Sequence, residues 1–259
     1  MRRPSSARDS APGSDCATDT LFAGRLALLQ PRSGYRVNVD TLLLAHFAVR
    51  ARPKARRVVD LGAGIGALAL AYRFLGHAAW VDLVERDPEL ARLSARNLAH
   101  AGAAGVPHVA DLERDGLPAV LRGTADVVLS NPPFFPEASG TTARATKRSA
   151  RTGPLAPFLT AASTALGRRG YAYFAYPASA LAEFLDAART AHLVAKRLRF
   201  VHAFAASAAR IVLVELRRAK PGGLVVDPPF VEWAAPRVRS AEARALVEGA
   251  ASPDVPSGH

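Results

Sequence analysis

The run Asn131-Pro132-Pro133-Phe134 contains the residue types needed to hold a planar amino group flat against a ring. The side-chain carbonyl of Asn131 and a backbone carbonyl beside the prolines can accept hydrogen bonds from the two N–H bonds of such a group. Phe134 offers a stacking face, and Phe135 follows it. Because the apolar residues 126–130 come directly before, we predict a buried strand that ends at a reactive loop.

A glycine-rich segment lies upstream and follows the apolar residues 57–61. Its glycines are Gly62, Gly64 and Gly66, which allow a sharp turn from strand to helix and a close approach of the backbone to a ligand. The N–H groups at the start of the following helix attract an anionic group. The spacing is G-x-G-x-G and differs from the G-x-G-x-x-G of dinucleotide binding. The segment therefore predicts a cofactor site of another kind.

Together the two motifs resemble those of class I S-adenosylmethionine-dependent methyltransferases that act on a planar amine. The resemblance implies S-adenosyl-L-methionine as cofactor, with its carboxylate at the glycine loop. Asp60, just before the loop, is expected to bind the amino end of the methionine moiety. Glu85 closes the second strand, where an acid can accept both ribose hydroxyls. Asp111 closes the third strand and is expected at the adenine amino group, with Glu113 and Asp115 as competitors.

Short apolar runs alternate with helical patterns through the middle of the chain, as in a parallel α/β sheet. Only five residues separate the last two β-rich runs, which is too short for a crossover helix, so we expect them to be antiparallel. The prediction is a Rossmann-like class I methyltransferase fold, with a seven-stranded, mostly parallel sheet, an antiparallel C-terminal hairpin and helices on both faces. Strands are predicted at Arg57–Leu61, Trp80–Glu85, His108–Ala110, Asp126–Ser130, Gly170–Tyr176, Arg197–Phe204 and Arg210–Leu216, and helices near Ile65–Leu75, Pro88–Ala101, Leu155–Leu166 and Ser179–Ala191.

A third segment, residues 30–46, narrows the resemblance. With the two loops, it is similar to the bacterial family that methylates N6 of the adenine beside the anticodon of a valine tRNA. The likeness runs from about residue 30 to residue 233. It implies that Arg36 to Leu44 pack over the cofactor pocket with Asp40 near the methionine end, which makes Arg36 and Asp40 candidate cofactor-binding residues.

The net charge of the 259-residue chain is +12, which favours an anionic partner, with nucleic acid first and a membrane surface second. Residues 138–182 contain no acid. The four basic side chains that follow the reactive loop are predicted to contact the tRNA backbone, and a solvated helix face is the alternative. These residues are Arg144, Lys147, Arg148 and Arg151.

Other features limit the class of protein. Cys16 is the one cysteine, so we expect neither an internal disulfide nor a cysteine-based zinc site, and the seven histidines lack metal-ligand spacing. No apolar run approaches the roughly 20 residues of a membrane span. We therefore expect a cytoplasmic, metal-independent monomer without a membrane partner. Its expected parts are a disordered tail at residues 1–19, one methyltransferase domain at 20–250, and a second tail at 251–259.

The expected activity is methyl transfer to N6 of adenine in tRNA. One alternative is another planar amine, either the glutamine amide of a release factor or guanine N2 in rRNA. Both alternative families carry an additional N-terminal domain, whereas only about forty ordered residues are expected before the glycine loop here. The other alternative is a non-catalytic RNA-binding relative of the fold, which would need a damaged glycine loop or Asn131 site.

Overall fold

The computed structural model describes residues 16–32, 37–132, 155–219 and 221–250. Within these ranges, a hairpin precedes a central sheet that contains both parallel and antiparallel strand pairs. The strands are β1 (Cys16–Leu21), β2 (Leu26–Pro31), β3 (Lys54–Leu61), β4 (His77–Glu85), β5 (Gly105–Val109), β6 (Ala125–Ser130), β7 (Leu166–Pro177), β8 (Val194–His202), β9 (Ala209–Arg217), β10 (Val225–Val226), β11 (Phe230–Val231), β12 (Trp233–Ala235) and β13 (Val238–Arg239).

Six α-helices accompany these strands in the described part of the chain. Their starts follow local capping chemistry where the sequence provides it: Asn38 accepts from the backbone N–H of Thr41, and Asp87 accepts from those of Glu89 and Leu90. The helices are α1 (Val39–Ala51), α2 (Ala67–Leu75), α3 (Pro88–His100), α4 (Leu155–Ala165), α5 (Leu181–Thr190) and α6 (Ala241–Glu248).

The central sheet has the order β10-β8-β9-β7-β6-β3-β4-β5, and β11 also pairs with β8. Strands β3 to β7 run parallel to one another, whereas β9 runs antiparallel to both of its neighbours, β7 and β8. The predicted class I methyltransferase topology is therefore confirmed, including the antiparallel hairpin. Within the described residues, the short strands β10 and β11 extend the seven predicted strands at the β8 edge.

Two apolar layers cover the sheet. One contains α1, α2 and α3, and includes the buried Leu44, Tyr72 and Leu83. The other contains α4 and α5, and includes Leu159 and Phe184. The predicted placement of helices on both faces is confirmed. Because parallel strands end at the same edge, this arrangement brings the loops after β3, β4, β5 and β6 together.

The hairpin of β1 and β2 differs from the sequence prediction. Residues 16–19 belong to β1, so the expected disordered tail does not extend through them, and Cys16 is half-buried in this strand. Long-range contacts hold the hairpin: Asn97 of α3 accepts from the N–H of Leu29 at 2.7 Å and donates to its carbonyl at 2.9 Å. The local sequence carries no signal for this pairing. The wider division into tails and one domain stays a prediction.

Candidate active site

A cavity of about 400 Å³ lies at the carboxyl ends of β3, β4 and β6. Its walls come from segments that are far apart in the sequence but meet at one edge of the sheet. Six residues predicted to bind cofactor or substrate line it together. They are Asp60, Gly62, Gly64, Glu85, Asp111 and Asn131.

The glycine loop adopts a backbone that requires glycine. Gly62, Gly64 and Gly66 have φ angles of 70°, 54° and 82°, in the left-handed region. A Cβ at Gly62 would lie 2.8 Å from the Phe158 ring, whereas one at Gly64 would meet nothing within 4 Å. Gly64 therefore leaves open space at the cavity wall. Gly66 does not line the cavity and instead precedes α2 as its N-cap residue.

Asp60 joins the cavity to the start of α2. Its Oδ2 accepts from the backbone N–H of Ala69 at 3.1 Å, in the first turn of α2. The N-cap residue, Gly66, has no side chain that could accept from this N–H group, so Asp60 takes that role. The residue is 1% exposed. Burial raises the pKa of Asp60 from 3.8 to about 7; the Ala69 hydrogen bond opposes the shift and the nearby charge of Glu85 adds to it. A cation in the cavity would favour the ionised carboxylate.

Glu85 is held by the backbone on both sides. Its Oε2 accepts from the N–H of Gly64 at 2.8 Å, and its Oε1 accepts from the N–H of Asp87 at 3.0 Å. Each carboxylate oxygen keeps a lone pair for a further donor. Glu85 is thus fixed at the cavity wall in an orientation that suits binding of two hydroxyl groups. Asp87 caps the start of α3.

Asp111 and Glu113 both line the cavity, whereas Asp115 does not. Asp111 Oδ1 accepts from the N–H of Glu113 at 2.9 Å, which closes a tight turn after β5. Asp115 pairs with Arg114 and accepts from the N–H of Asp111 at 3.0 Å. The structure therefore leaves Asp111 and Glu113 as the acids able to meet an amino group there, and gives Asp115 a role in the turn.

Asn131 lies at the end of β6 and faces the cavity. Its Oδ1 is buried and has no hydrogen-bond partner among the described residues. Beside it, the hydroxyl of Ser130 donates to the carbonyl of Leu61 at 2.9 Å and ties the end of β6 to the end of β3. Because buried carbonyl oxygens are nearly always paired, an unpaired one at a cavity wall indicates a ligand donor.

Asp40 does not line the cavity. Its Oδ1 lies 2.6 Å from Nη2 of Arg210 in β9, and the same guanidinium binds Glu232 at 2.6 Å and 3.0 Å. The neighbouring Thr41 does line the cavity. A role for Asp40 at the cofactor therefore stays a prediction, and its observed partner is Arg210.

Several predicted residues cannot be placed. Pro132 is described and buried, directly after Asn131. The other members of the reactive loop, one cofactor candidate and the basic group predicted to contact RNA lie outside the described residues, so their roles stay predictions. These are Pro133, Phe134, Arg36, Arg144, Lys147, Arg148 and Arg151.

Sequence reasoning missed Phe158 and Asn97. Phe158 of α4 lines the cavity and covers Gly62, and nothing in the helical pattern of residues 155–166 marks it. Asn97 is fully buried and donates to the carbonyl of Ile65 at 3.0 Å, which anchors the glycine loop to α3 and to β2. The one available signal was a polar residue on the apolar face of a predicted helix.

The charge of the cavity identifies the kind of ligand that fits. Among the described residues, five carboxylates and one guanidinium line it, although the whole chain carries a net charge of +12. This wall disfavours the pyrophosphate of a dinucleotide and suits a ligand with cationic groups. S-adenosyl-L-methionine has a sulfonium and an ammonium group, and its hydroxyls and adenine amino group match acidic acceptors. The charged lining residues are Asp60, Glu85, Asp87, Asp111, Glu113 and Arg86.

Comparison with known proteins agrees with this chemistry. Residues 36–154 match the family described as methyltransferase small domain. A predicted O-methyltransferase from Agrobacterium tumefaciens has a similar structure, with a TM-score of 0.65 at 21% identity, over 82% of this chain and 97% of that one. Family and fold together make S-adenosyl-L-methionine the cofactor of the domain.

Two curated relatives bear on the substrate. A tRNA1(Val) (adenine(37)-N6)-methyltransferase from Pedobacter heparinus is 38% identical over 105 residues, which are 39% of this chain and 41% of that protein. A release factor glutamine methyltransferase from Corynebacterium glutamicum is 38% identical over 104 residues, 38% of this chain and 36% of that protein. The chain thus matches about two fifths of the length of each. In the described residues, no helix is long and apolar enough to cross a membrane, and no metal-ligand cluster occurs.

Proposed function

We propose that the protein transfers a methyl group to the exocyclic N6 of adenine in tRNA, at the adenine next to the anticodon of a valine tRNA. The observation that carries the proposal is the buried Oδ1 of Asn131, which lies at the wall of the cofactor cavity and has no hydrogen-bond partner among the described residues. An amino N–H is the donor that this oxygen lacks. The bound cofactor supplies an electrophilic methyl group.

The role of Asn131 follows from the electronic structure of the substrate. The lone pair of an aromatic amino group is delocalised into the ring, so the nitrogen is a poor nucleophile. An acceptor on one N–H favours a tetrahedral nitrogen and orients its lone pair. This kind of catalysis consists of positioning and electrostatics. No strong base is required, because the methylated nitrogen becomes acidic and loses its proton readily. Pro132 restricts the backbone directly after Asn131 and so limits its movement.

The net positive charge of the chain favours RNA as the substrate. The net charge of +12 contrasts with the acidic cofactor cavity, so the excess positive charge lies on other surfaces. The second candidate is methylation of a glutamine side-chain amide in a release factor. It is supported by the relative from Corynebacterium glutamicum, whose identity to this chain equals that of the tRNA methyltransferase. An amide presents the same planar N–H₂ group to Asn131, so this side chain alone does not separate the two substrates.

A direct competition assay tests the proposal. The purified protein is incubated with isotopically labelled cofactor and either total tRNA or a release factor, both from a strain that lacks the corresponding gene. The tRNA is then digested and its nucleosides are identified by mass spectrometry. Labelled N6-methyladenosine supports the proposal. Label in the release factor alone, or in a methylated guanine, would overturn the adenine assignment.

A further inference from the structure

A second pocket lies at the amino ends of the parallel strands, whereas the cofactor cavity lies at their carboxyl ends. It has a volume of about 280 Å³ and is formed by the end of α1 and the first residues of β3, β6 and β7. Lys54 is the first residue of β3 and Leu61 is the last. With a rise of about 3.3 Å per residue, the two ends of this strand are roughly 23 Å apart. The pocket is therefore separate from the site of methyl transfer.

The pocket is strongly basic. Four cationic side chains line it, and within the described ranges none of the four has a carboxylate partner. The described lining contains one acid, Asp126, whose Oδ2 already accepts from two backbone N–H groups at 2.9 Å and 3.1 Å. The positive charge of this pocket is thus mostly uncompensated. The four cationic residues are Arg52, Lys54, Arg56 and Arg169.

The guanidinium of Arg52 is fixed in place. It lies 3.8 Å from the ring centroid of Tyr171, and the guanidinium of Arg217 lies 4.8 Å from the same ring. The carbonyl of Arg52 also accepts from the hydroxyl of Tyr72. The Nε of Arg52 is buried without an acceptor among the described residues. Because this cation is held before any ligand arrives, little side-chain entropy is lost when an anion binds.

Two neighbouring arginines add positive charge, and neither has a carboxylate partner in the part of the chain that the structure describes. Arg217 donates to the hydroxyl of Tyr171 at 3.0 Å. Arg218 donates to the carbonyls of Leu166 and Gly167 at 2.6 Å and 3.1 Å. Both sets of partners are neutral, so the positive charge of each arginine extends the field of the pocket. Among the described residues, none that lines the pocket has an exposed apolar side chain that could enter a lipid layer.

We propose that this pocket binds phosphate groups of the RNA backbone at a position remote from the methylated base. The proposal rests on the proposed function, since it takes RNA as the substrate. Guanidinium groups bind phosphate through paired hydrogen bonds. The separation of roughly 23 Å along β3 means that only an RNA extending past the reactive base reaches both sites. The pocket therefore favours a folded tRNA over a short oligonucleotide with the same target adenine.

The test compares two charge-reversal variants with equal net charge. Lys54→Glu/Arg169→Glu changes two exposed cations of the pocket, and Arg92→Glu/Arg96→Glu changes two exposed cations of α3 outside both pockets. Binding of labelled full-length tRNA is measured by fluorescence anisotropy at several salt concentrations. We expect about ten-fold weaker tRNA binding for the pocket variant at low salt, with a shallower salt dependence, because fewer counterions are released. The control variant should bind within about two-fold of wild type.

Further measurements make the result unambiguous. Thermal melting and cofactor calorimetry should match wild type in both variants, and Lys54→Gln/Arg169→Gln should reduce tRNA affinity without introducing acids. A pentanucleotide with a central adenine should bind the wild type and the pocket variant equally. Equal tRNA affinity of the pocket and control variants would overturn the proposal. So would a pocket variant that binds anionic vesicles more weakly than wild type but binds tRNA with unchanged affinity.

The outcome can be separated from that of the proposed function. If tRNA binding depends on the pocket but no N6-methyladenosine forms, the pocket assignment stands and the reaction assignment fails. If N6-methyladenosine forms but tRNA binding ignores the pocket, the reaction stands and the pocket assignment is overturned.

Discussion

The backbone N–H of Gly64 donates to the Glu85 carboxylate across 2.8 Å, and this bond joins the glycine loop to the end of β4. The other oxygen of Glu85 accepts from Asp87, at the start of α3. One buried side chain therefore fixes the relative positions of two loops that line the cavity. Glu85 has a structural role in addition to its predicted contact with the ribose hydroxyls.

Replacement of Glu85 should separate these two roles. Glu85→Ala removes the acceptor for both backbone N–H groups and for the ribose, so we expect cofactor affinity to fall by about 1–3 kcal/mol. Glu85→Gln should also weaken binding, because its amide nitrogen would place a donor against one of the backbone donors. Calorimetry measures both affinities, with circular dichroism as the control for folding. Unchanged affinity in Glu85→Ala would contradict the assignment.

Gly64→Ala should damage the cofactor site more than the fold. The backbone at Gly64 has a φ of 54° and its missing Cβ would meet nothing within 4 Å, so a methyl group fits but occupies cavity space. We expect a stability loss of about 1 kcal/mol from the left-handed backbone, and a much larger loss of cofactor affinity. Gly102→Ala is the matched control, because Gly102 has a φ of 56°, open surroundings and no contact with the cavity. Equal affinity losses in the two variants would argue against a cradle at Gly64.

The sequence predicted most of the central sheet because each core strand is a short apolar run between turn residues. The observed strands are longer at their amino ends, as at Lys54 and His77, where exposed residues hide the pattern. The predicted start of α2 at Ile65 is two residues too early, because the left-handed backbone of Gly66 delays the helix to Ala67. Local patterns thus identify elements better than their boundaries.

Contacts between distant segments could not be predicted from local sequence patterns. The ring of Phe158 packs over Gly62, although the two residues are 96 positions apart in the sequence. The ion pair of Asp40 with Arg210 forms only because β9 lies beside α1. The acidic residues of the site were predictable because parallel strands place their carboxyl ends at one edge. Their individual partners were not, since each depends on the packing of a helix against the sheet.

The raised pKa of Asp60 predicts a pH dependence of cofactor binding. Without bound cofactor, about half of this carboxyl is protonated near pH 7, because burial raises the pKa of Asp60 to about 7. A bound cationic group favours the ionised form and expels the proton. Affinity should therefore rise as pH increases through 7, with proton release that calorimetry detects in buffers of different ionisation enthalpy. Asp60→Asn should bind more weakly and lose this pH dependence.

The carboxyl of Asp60 should also make the stability of the fold depend on pH, and in the opposite direction to cofactor affinity. Between its ordinary pKa of 3.8 and about 7, the folded protein binds a proton at Asp60 that the unfolded chain does not. The free energy of unfolding contributed by this group therefore falls as pH rises through that window. Asp60→Asn keeps an acceptor for Ala69 and removes the buried charge, so its Tm relative to wild type should increase from about pH 5 to about pH 8. A pH-independent Tm difference would show that Asp60 titrates at its ordinary value.

Asn131 provides the sharpest test of the proposed chemistry. Its Oδ1 makes no hydrogen bond in the described part of the protein, so Asn131→Ala removes an unsatisfied buried acceptor and should leave the Tm unchanged or slightly higher. The same change removes the contact to the substrate amino group. We expect kcat to fall by about a hundred-fold or more, as for loss of an oriented group that acts in the transition state. Nucleoside mass spectrometry of the tRNA product measures this loss.

Asn131→Asp distinguishes an acceptor role from a purely structural one. The carboxylate keeps an oxygen at the same position, so partial activity should return while Asn131→Ala stays inactive, and both variants should retain cofactor affinity by calorimetry. Ser130→Ala is the matched control at the neighbouring residue, because it removes the hydrogen bond to the carbonyl of Leu61. It should lower the Tm more than Asn131→Ala does, and it should lower kcat less. If Asn131→Ala instead loses stability and cofactor affinity together, the asparagine holds the loop in place and the amino-group contact must come from another residue.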